Sequence, residues 1–143
     1  MSKETYFDKK TCQKIGYIRD DIEKKLMAGI VNKREHACII TSLFYAMDRI
    51  SHTCGHYDSF IRDGRYEGFL ELRMPDNDYP LNDNNHIYCA NSNDIAELED
   101  VDIAYLDPPY NSRQYCDAYH LLENVALWTK PEVYGIARKM DRT

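Results

Sequence analysis

Val101-Asp102-Ile103-Ala104-Tyr105-Leu106 runs directly into Asp107-Pro108-Pro109-Tyr110, and this junction decides how the rest of the chain is read. A short β-prone run that meets an acidic residue, two prolines and an aromatic reads as a strand stopping abruptly in a stiff loop. Neither proline can continue a central ladder, because each has φ fixed near −65° and no N–H to donate. Each also pushes its predecessor toward extended geometry, so Asp107 and Pro108 are both held extended. A carboxylate, a bare carbonyl and an aromatic face are thus expected together at the carboxyl end of a strand. In open α/β sheets that edge is where ligands bind. The plain alternative is a strand-terminating turn, for which Asp and Pro are ordinary choices.

Upstream, His86-Ile87-Tyr88-Cys89-Ala90 reads as a second strand, followed by Asn91-Ser92-Asn93-Asp94 and a short helix over 95–98. Two short strands joined by about ten residues with a helical turn suggest a parallel pair. Asp94 then falls on the same sheet edge as Asp107. Asp94 is equally suited to cap the short helix, with Glu97 three residues on completing a capping box. Phe69 to Leu72 is a candidate short strand, and 76–85 is a turn-rich loop.

Helices come first in the chain. Ile15, Ile18, Ile22 and Leu26 recur at helical spacing, and Gly29 is a reasonable stop. Asn32 followed by Glu35 predicts a capped start to a second helix, whose apolar face runs Ala37, Ile40, Leu43/Phe44, Met47 and Ile50. These two helices are expected to pack on each other and on the sheet. Residues 51–65 are polar and irregular. After the tetrapeptide, 118–128 reads as a helix ended by Pro131, with Trp128 as a core residue. The fold class expected is α/β: part of a Rossmann-like sheet with helices, preceded by a helical segment.

The chemistry that wants a carboxylate, a carbonyl and an aromatic side by side is amine activation. A nucleobase exocyclic amine is a poor nucleophile because its lone pair is delocalised into the ring. Hydrogen bonds from that amine to Asp107 and to the Pro108 carbonyl favour a geometry that frees the lone pair. An aromatic supplies a stacking face for a base taken out of its duplex. On these residues the chain resembles the Dam-like N6-adenine-specific DNA methyltransferases, whose catalytic tetrapeptide is Asp-Pro-Pro-Tyr at a strand end. The resemblance extends through Tyr105 to Tyr115, through Tyr119-His120-Leu121-Leu122-Glu123-Asn124, and to Thr53-Cys54-Gly55-His56-Tyr57-Asp58-Ser59-Phe60. It implies a methyl group transferred from S-adenosylmethionine to a flipped adenine in double-stranded DNA. Asp107 and the Pro108 carbonyl would receive the amine, Pro109 would fix the loop, and Tyr110 would stack on the base. An acidic residue where Asp94 stands contacts the cofactor's adenine in that family, and Asp107 also borders the cofactor. No metal is expected, since the sulfonium already carries an activated methyl. Guanine-N2 RNA methyltransferases can carry the same tetrapeptide, but the match over Asn111–Tyr115 disfavours that reading.

The departure from the family is a missing glycine-rich cofactor cradle of Phe-x-Gly-x-Gly type. The six glycines stand at 16, 29, 55, 64, 68 and 135, and no two are one residue apart. Together with the early end after Tyr110, this suggests one incomplete methyltransferase domain over 1–143. Its parts are a helical segment and loop over 1–68 and a catalytic α/β part over 69–143. Such a chain is a truncated frame, an expressed fragment or part of a split enzyme, catalytically active or silent. It is expected to associate with itself or with the missing part.

A net charge of −6 argues against a broadly basic nucleic-acid face, so DNA contacts must come from local patches. Candidates are Lys3, Lys9, Lys10 and Lys14, and Lys130, Arg138, Lys139 and Arg142. Five scattered cysteines without a Cys-x-x-Cys pair fit reduced thiols. His52-x-Cys54-x-His56 offers three potential ligands where structural zinc wants four. With no signal peptide or membrane-length apolar run, the expected compartment is the cytoplasm.

Overall fold

The computed structural model describes residues 6–61, 68–76, 84–91, 93, 101–108, 115–135 and 137–140. Helix α1 spans Lys9–Met27 and α2 spans Lys33–Ile50. Helix α3, Tyr115–Ala118, leads into α4, His120–Leu127, and then into a hairpin of β1, Val133–Tyr134, and β2, Lys139–Met140. The hairpin is antiparallel, with Val133 opposite Met140 and Tyr134 opposite Lys139.

Helix α1 begins where Asp8 takes the first orphan N–H groups. Its Oδ1 accepts from the backbone of Lys10 at 2.7 Å and of Thr11 at 3.0 Å. The helix stops as its sequence suggests. Gly29 turns left-handed at φ 68°, Gly29 N–H bonds Leu26 O at 3.0 Å and Ile30 N–H bonds Lys25 O at 2.9 Å. That pair is a Schellman termination, which glycine adopts without a Cβ penalty. Helix α2 carries the predicted capping box: Asn32 Oδ1 accepts from Glu35 N–H at 3.0 Å, and the Glu35 carboxylate accepts from Asn32 N–H at 2.8 Å.

The apolar faces of α1 and α2 meet. Ile15, Ile22, Ile40, Leu43 and Met47 are buried in one cluster with Tyr6, Phe7, Tyr57 and Val125 of α4. Ala37, the first residue of the expected α2 face, is exposed. Tyr6 and Tyr57 sit edge to face with centroids 5.4 Å apart, and the Tyr57 hydroxyl donates to Asp48 Oδ1 at 2.7 Å. Burial and that carboxylate push the Tyr57 phenol well above its usual range. Arg19, 1 % exposed, ties α1 to α4. Its Nε donates to Val125 O at 2.7 Å and its Nη2 to Ala126 O at 2.8 Å, taking carbonyls that the end of α4 leaves without helical partners. Glu23, one turn along α1, pairs with the same guanidinium.

The expected strands do not form. Residues 86–90, 101–106 and 69–72 carry no ladder, and β1–β2 is the one sheet among the described residues. Ile87 is 97 % exposed, Ile103 and Tyr105 86 %, and Leu106 84 %. An extended run becomes a strand only when a neighbour takes its N–H and C=O groups, and a parallel strand also needs cover on both faces. Among the described residues no neighbouring strand pairs with these runs, and of them only Leu70 packs against the core. The described residues form a mixed architecture of packed helices and a small hairpin, compatible with a methyltransferase-like α/β fold, and contain no Rossmann-like sheet. The expected helix over 95–98 lies outside the described residues. The expected helix over 118–128 is split, with Tyr119 between α3 and α4. It ends at Leu127, where Trp128 turns left-handed at φ 54° ahead of Pro131. Trp128 is half-buried, with Nε1 donating to Asp20 at 2.8 Å and the Lys130 ammonium 4.6 Å from its ring centre.

Candidate active site

Of the tetrapeptide, Asp107 and Pro108 are described and both are exposed; Pro109, Tyr110 and Asp94 lie outside the described residues. The junction is tied to α3 where the Tyr115 hydroxyl donates to the Asp107 main-chain carbonyl at 3.4 Å. Because that bond uses the backbone, the Asp107 carboxylate stays exposed. The first turn of α3 thus holds a loop whose acid faces outward.

Tyr115 also begins a cleft of about 540 Å³, lined by Tyr115, Cys116, Tyr119, His120, Glu123 and Met140. The rings of Tyr115 and Tyr119 stand 6.0 Å apart at 51°. They come from opposite ends of one helical turn, a spacing of four that places both on one face. His120 is buried, with Nδ1 2.9 Å from Asp117 O and Nε2 3.1 Å from Ala137 O. Neutral imidazole has one N–H and serves only one of these carbonyls. Burial pushes its pKa below the ordinary value, against the opposing pull of the Ala137 carbonyl. Behind it, Lys139 Nζ pairs with Asp58 and lies 3.3 Å from Asp117 Oδ1, fastening β2 to the 51–61 loop and to α3. A second hollow, about 440 Å³ at the start of α2, includes Val31, Cys38, Ile39 and Met74 and shares no residue with the first. Its carboxylate, Glu35, is engaged by the Asn32 N–H in the α2 capping box.

Two basic residues expected as DNA contacts are engaged elsewhere. Lys139 is held between carboxylates, and Lys130 pairs with Asp20 at 2.9 Å; Arg142 and Lys3 lie outside the described residues. His52, Cys54 and His56 belong to no metal-ligating cluster among the described residues, where no group of three or more His, Cys, Asp or Glu is found. The five cysteines are free thiols. No helix among the described residues is long and apolar enough to cross a membrane.

The tetrapeptide's setting can be compared with known proteins. The family model for the D12 class N6 adenine-specific DNA methyltransferases matches residues 1–141. The chain belongs to that family. This D12-class chain is similar to type II methyltransferase M.FokI of Planomicrobium okeanokoites, 36 % identical over 135 residues, covering 91 % of the chain and 20 % of that protein. It is similar to modification methylase StsI of Streptococcus sanguinis, 35 % identical over 141 residues, covering 95 % of the chain and 21 % of that protein. Modification methylase LlaI of Lactococcus lactis subsp. lactis is 30 % identical over 139 residues, covering 94 % and 22 %. The chain thus spans about a fifth of the length of these relatives. No solved structure matches the chain.

A D12-class methyltransferase implies S-adenosylmethionine as methyl donor. The described residues do not by themselves fit that group. Gly29, Gly55, Gly68 and Gly135 have positive φ but stand far apart in sequence, and no glycine-rich turn adjoins Asp107. Cys116 stands in the sequence only among the scattered cysteines, whereas Tyr115, Tyr119 and His120 are markers of resemblance there, with no role attached. Their signal was the four-residue spacing of two tyrosines just past the tetrapeptide.

Proposed function

We propose that the chain carries the adenine-presenting part of a site-specific DNA adenine-N6 methyltransferase. Its substrate is double-stranded DNA with one adenine flipped out, and its methyl donor is S-adenosylmethionine. The Asp107 carboxylate and the Pro108 carbonyl accept the two N–H groups of the adenine amine. Pro109 stiffens the loop and Tyr110 stacks on the ring. Accepting both protons draws the nitrogen toward tetrahedral geometry, and the carboxylate stabilises the positive charge that grows on it during transfer. Asp94 is assigned to the donor's adenine.

The observation that carries this reading is the exposed Asp107 carboxylate on a loop anchored through its own backbone carbonyl by Tyr115. A turn made only to end a strand gains nothing from keeping its acid clear of partners beside an aromatic cleft. The test is product identity. DNA treated with S-adenosylmethionine and an active form of the protein is digested to nucleosides and separated by mass. N6-methyldeoxyadenosine is the expected product, and methyl found on cytosine alone would sink the assignment. The missing glycine-rich cradle favours one further reading, a catalytically silent piece that keeps the site but needs another polypeptide to hold the donor. Calorimetric titration of the chain with S-adenosylmethionine separates the two: micromolar affinity needs about −8 kcal/mol of contacts and would exclude the silent reading.

A further inference from the structure

Thr53-Cys54-Gly55-His56-Tyr57-Asp58-Ser59-Phe60 carries part of the resemblance but has no task in the reaction as described. The segment is folded on itself, by an antiparallel bridge between Thr53 and Phe60 and by Ile61 N–H donating to His52 O at 3.0 Å. On one side it is fixed to the helical core. Tyr57, 3 % exposed, donates its hydroxyl to Asp48 of α2 at 2.7 Å, and the Tyr6 hydroxyl donates to the Tyr57 carbonyl. On the other side it grips α3. Tyr57 N–H donates at 3.0 Å to Ala118 O, the last carbonyl of that helix. Beside it Asp58 pairs with Lys139 of β2, whose ammonium also lies 3.3 Å from Asp117 Oδ1 of α3. Asp58 N–H donates to His56 Nδ1 at 3.3 Å, which closes the turn that presents the carboxylate.

A helix of four residues, as α3 is, does not hold itself. One turn fixes several residues for a single hydrogen bond, and its end carbonyls have no helical partners. What grips its end therefore sets where it sits. Helix α3 is also an anchor of the tetrapeptide loop. Tyr115, its first residue, stands eight positions after Asp107 and donates its hydroxyl to the Asp107 carbonyl. We propose that 53–60 is a clamp that positions the tetrapeptide loop for methyl transfer, with Asp58 as the positioning residue, acting through Lys139 and α3. The proposal rests on the methyltransferase reading and adds to it a residue that works at one remove from the substrate. Displacement of a reacting group by about 1 Å can cost about 10²-fold in rate, so the seat of a short helix has catalytic weight.

The test uses the full 143-residue chain, followed by NMR. Asp58→Asn keeps the size of the side chain and removes the charge that faces Lys139. The Tyr57 and Tyr119 N–H groups, bonded to Ala118 O and Tyr115 O, should then exchange with solvent at least about 5-fold faster, while Ile22 in α1 keeps its rate. The Asp107 carbonyl-carbon shift should move in the direction it takes in Tyr115→Phe, which lacks the hydroxyl bonded to it. Asp58→Glu restores the charge and should recover most of both effects; Lys139→Gln should reproduce them. Asn32→Ala weakens the α2 cap away from α3 and should leave the Asp107 signal in place. In an active form, Asp58→Asn should slow single-turnover methylation about 10-fold at unchanged donor affinity, and Asn32→Ala should not. An Asp107 signal that stays put in Asp58→Asn overturns the clamp. So does equal acceleration of Ile22 exchange, which marks general destabilisation. The two readings fail separately. If the exchange and the Asp107 signal respond but no active form puts methyl on adenine, the clamp stands and the methyltransferase reading fails. If adenine is methylated and Asp58→Asn changes neither the Asp107 signal nor the rate, the reverse holds.

Discussion

Residues 9–50 and the runs 86–91 and 101–108 are both rich in apolar side chains, yet they fare oppositely. In α1 and α2 the apolar positions lie three and four apart, and Ile15, Ile22, Leu43 and Met47 are buried. In 86–91 and 101–108 the apolar residues sit in short extended runs, and Ile87, Ile103 and Leu106 are exposed. A helix satisfies its backbone within itself and needs only one partner for its stripe. An extended run satisfies nothing alone. The comparison teaches where stability and chemistry reside: the helices hold the fold, and the exposed stretch ends in the residue assigned to the reaction.

The largest effect should fall on chemistry with no cost to stability. Asp107→Asn keeps the size of the side chain and removes its charge. In an active form of the protein, single-turnover methylation should slow by about 10²–10³, or roughly 3–4 kcal/mol, the usual loss for one preorganised electrostatic partner. DNA affinity and the melting midpoint should not move, because the carboxylate is exposed. Transfer at the parent rate would reduce the tetrapeptide to a well-made turn.

On the helical side, Leu43→Ala opens a cavity in the middle of the cluster that joins α1, α2 and Val125. Large-to-small changes at fully buried positions cost about 2–5 kcal/mol, and Leu43 is 0 % exposed. Urea unfolding should show the midpoint fall by that amount at unchanged slope. A loss under about 1 kcal/mol would mean that the two helices are not packed as described.

A smaller effect is expected from the α2 cap. Asn32→Ala leaves the N–H groups of Arg34 and Glu35, now bonded to Asn32 Oδ1 at 2.9 and 3.0 Å, to water alone. The typical cost is about 1 kcal/mol, read as a shift in the same unfolding midpoint. Asn32→Asp should recover most of it, since an acid also caps and favours the helix N-terminus.

These caps mark how much of the molecule was legible in advance. Asn32 with Glu35, and Gly29 after a periodic run, are local signals that no tertiary contact had to complete, and both elements end where the residues predict. Asp8 is an equally local cap, and it starts α1 six residues before Ile15, the first position of the periodic face. Arg19 could not be read as buried, because its burial depends on the carbonyls of Val125 and Ala126, more than a hundred positions away. The strands over 86–90 and 101–106 failed for the converse reason: β-propensity states a readiness to pair and says nothing about whether a partner arrives. At the site, chemistry was more legible than shape. Asp107 was picked out by its neighbours in sequence, whereas the cleft appears only when α3, α4 and β2 are brought together.

The smallest effect expected is the one that tests the division most sharply. Ile103 is 86 % exposed and lies in an extended run with no ladder. Ile103→Ser therefore removes almost no buried apolar area, and its effect on urea unfolding of the chain should stay within about 0.5 kcal/mol, as for surface positions generally. If the run instead pairs and is covered in solution, as its Val-Asp-Ile-Ala-Tyr-Leu sequence invites, the same change buries a hydroxyl in place of a side chain worth about 1.5–3 kcal/mol of transfer. A loss of that size would show that 101–106 is a strand after all and that the contrast with the helices is false. A loss that appears only at high protein concentration would locate the partner in a second copy, since stability gained by association depends on concentration. An effect near zero at every concentration leaves the contrast intact: the run that points to the chemistry adds nothing to the stability of the fold.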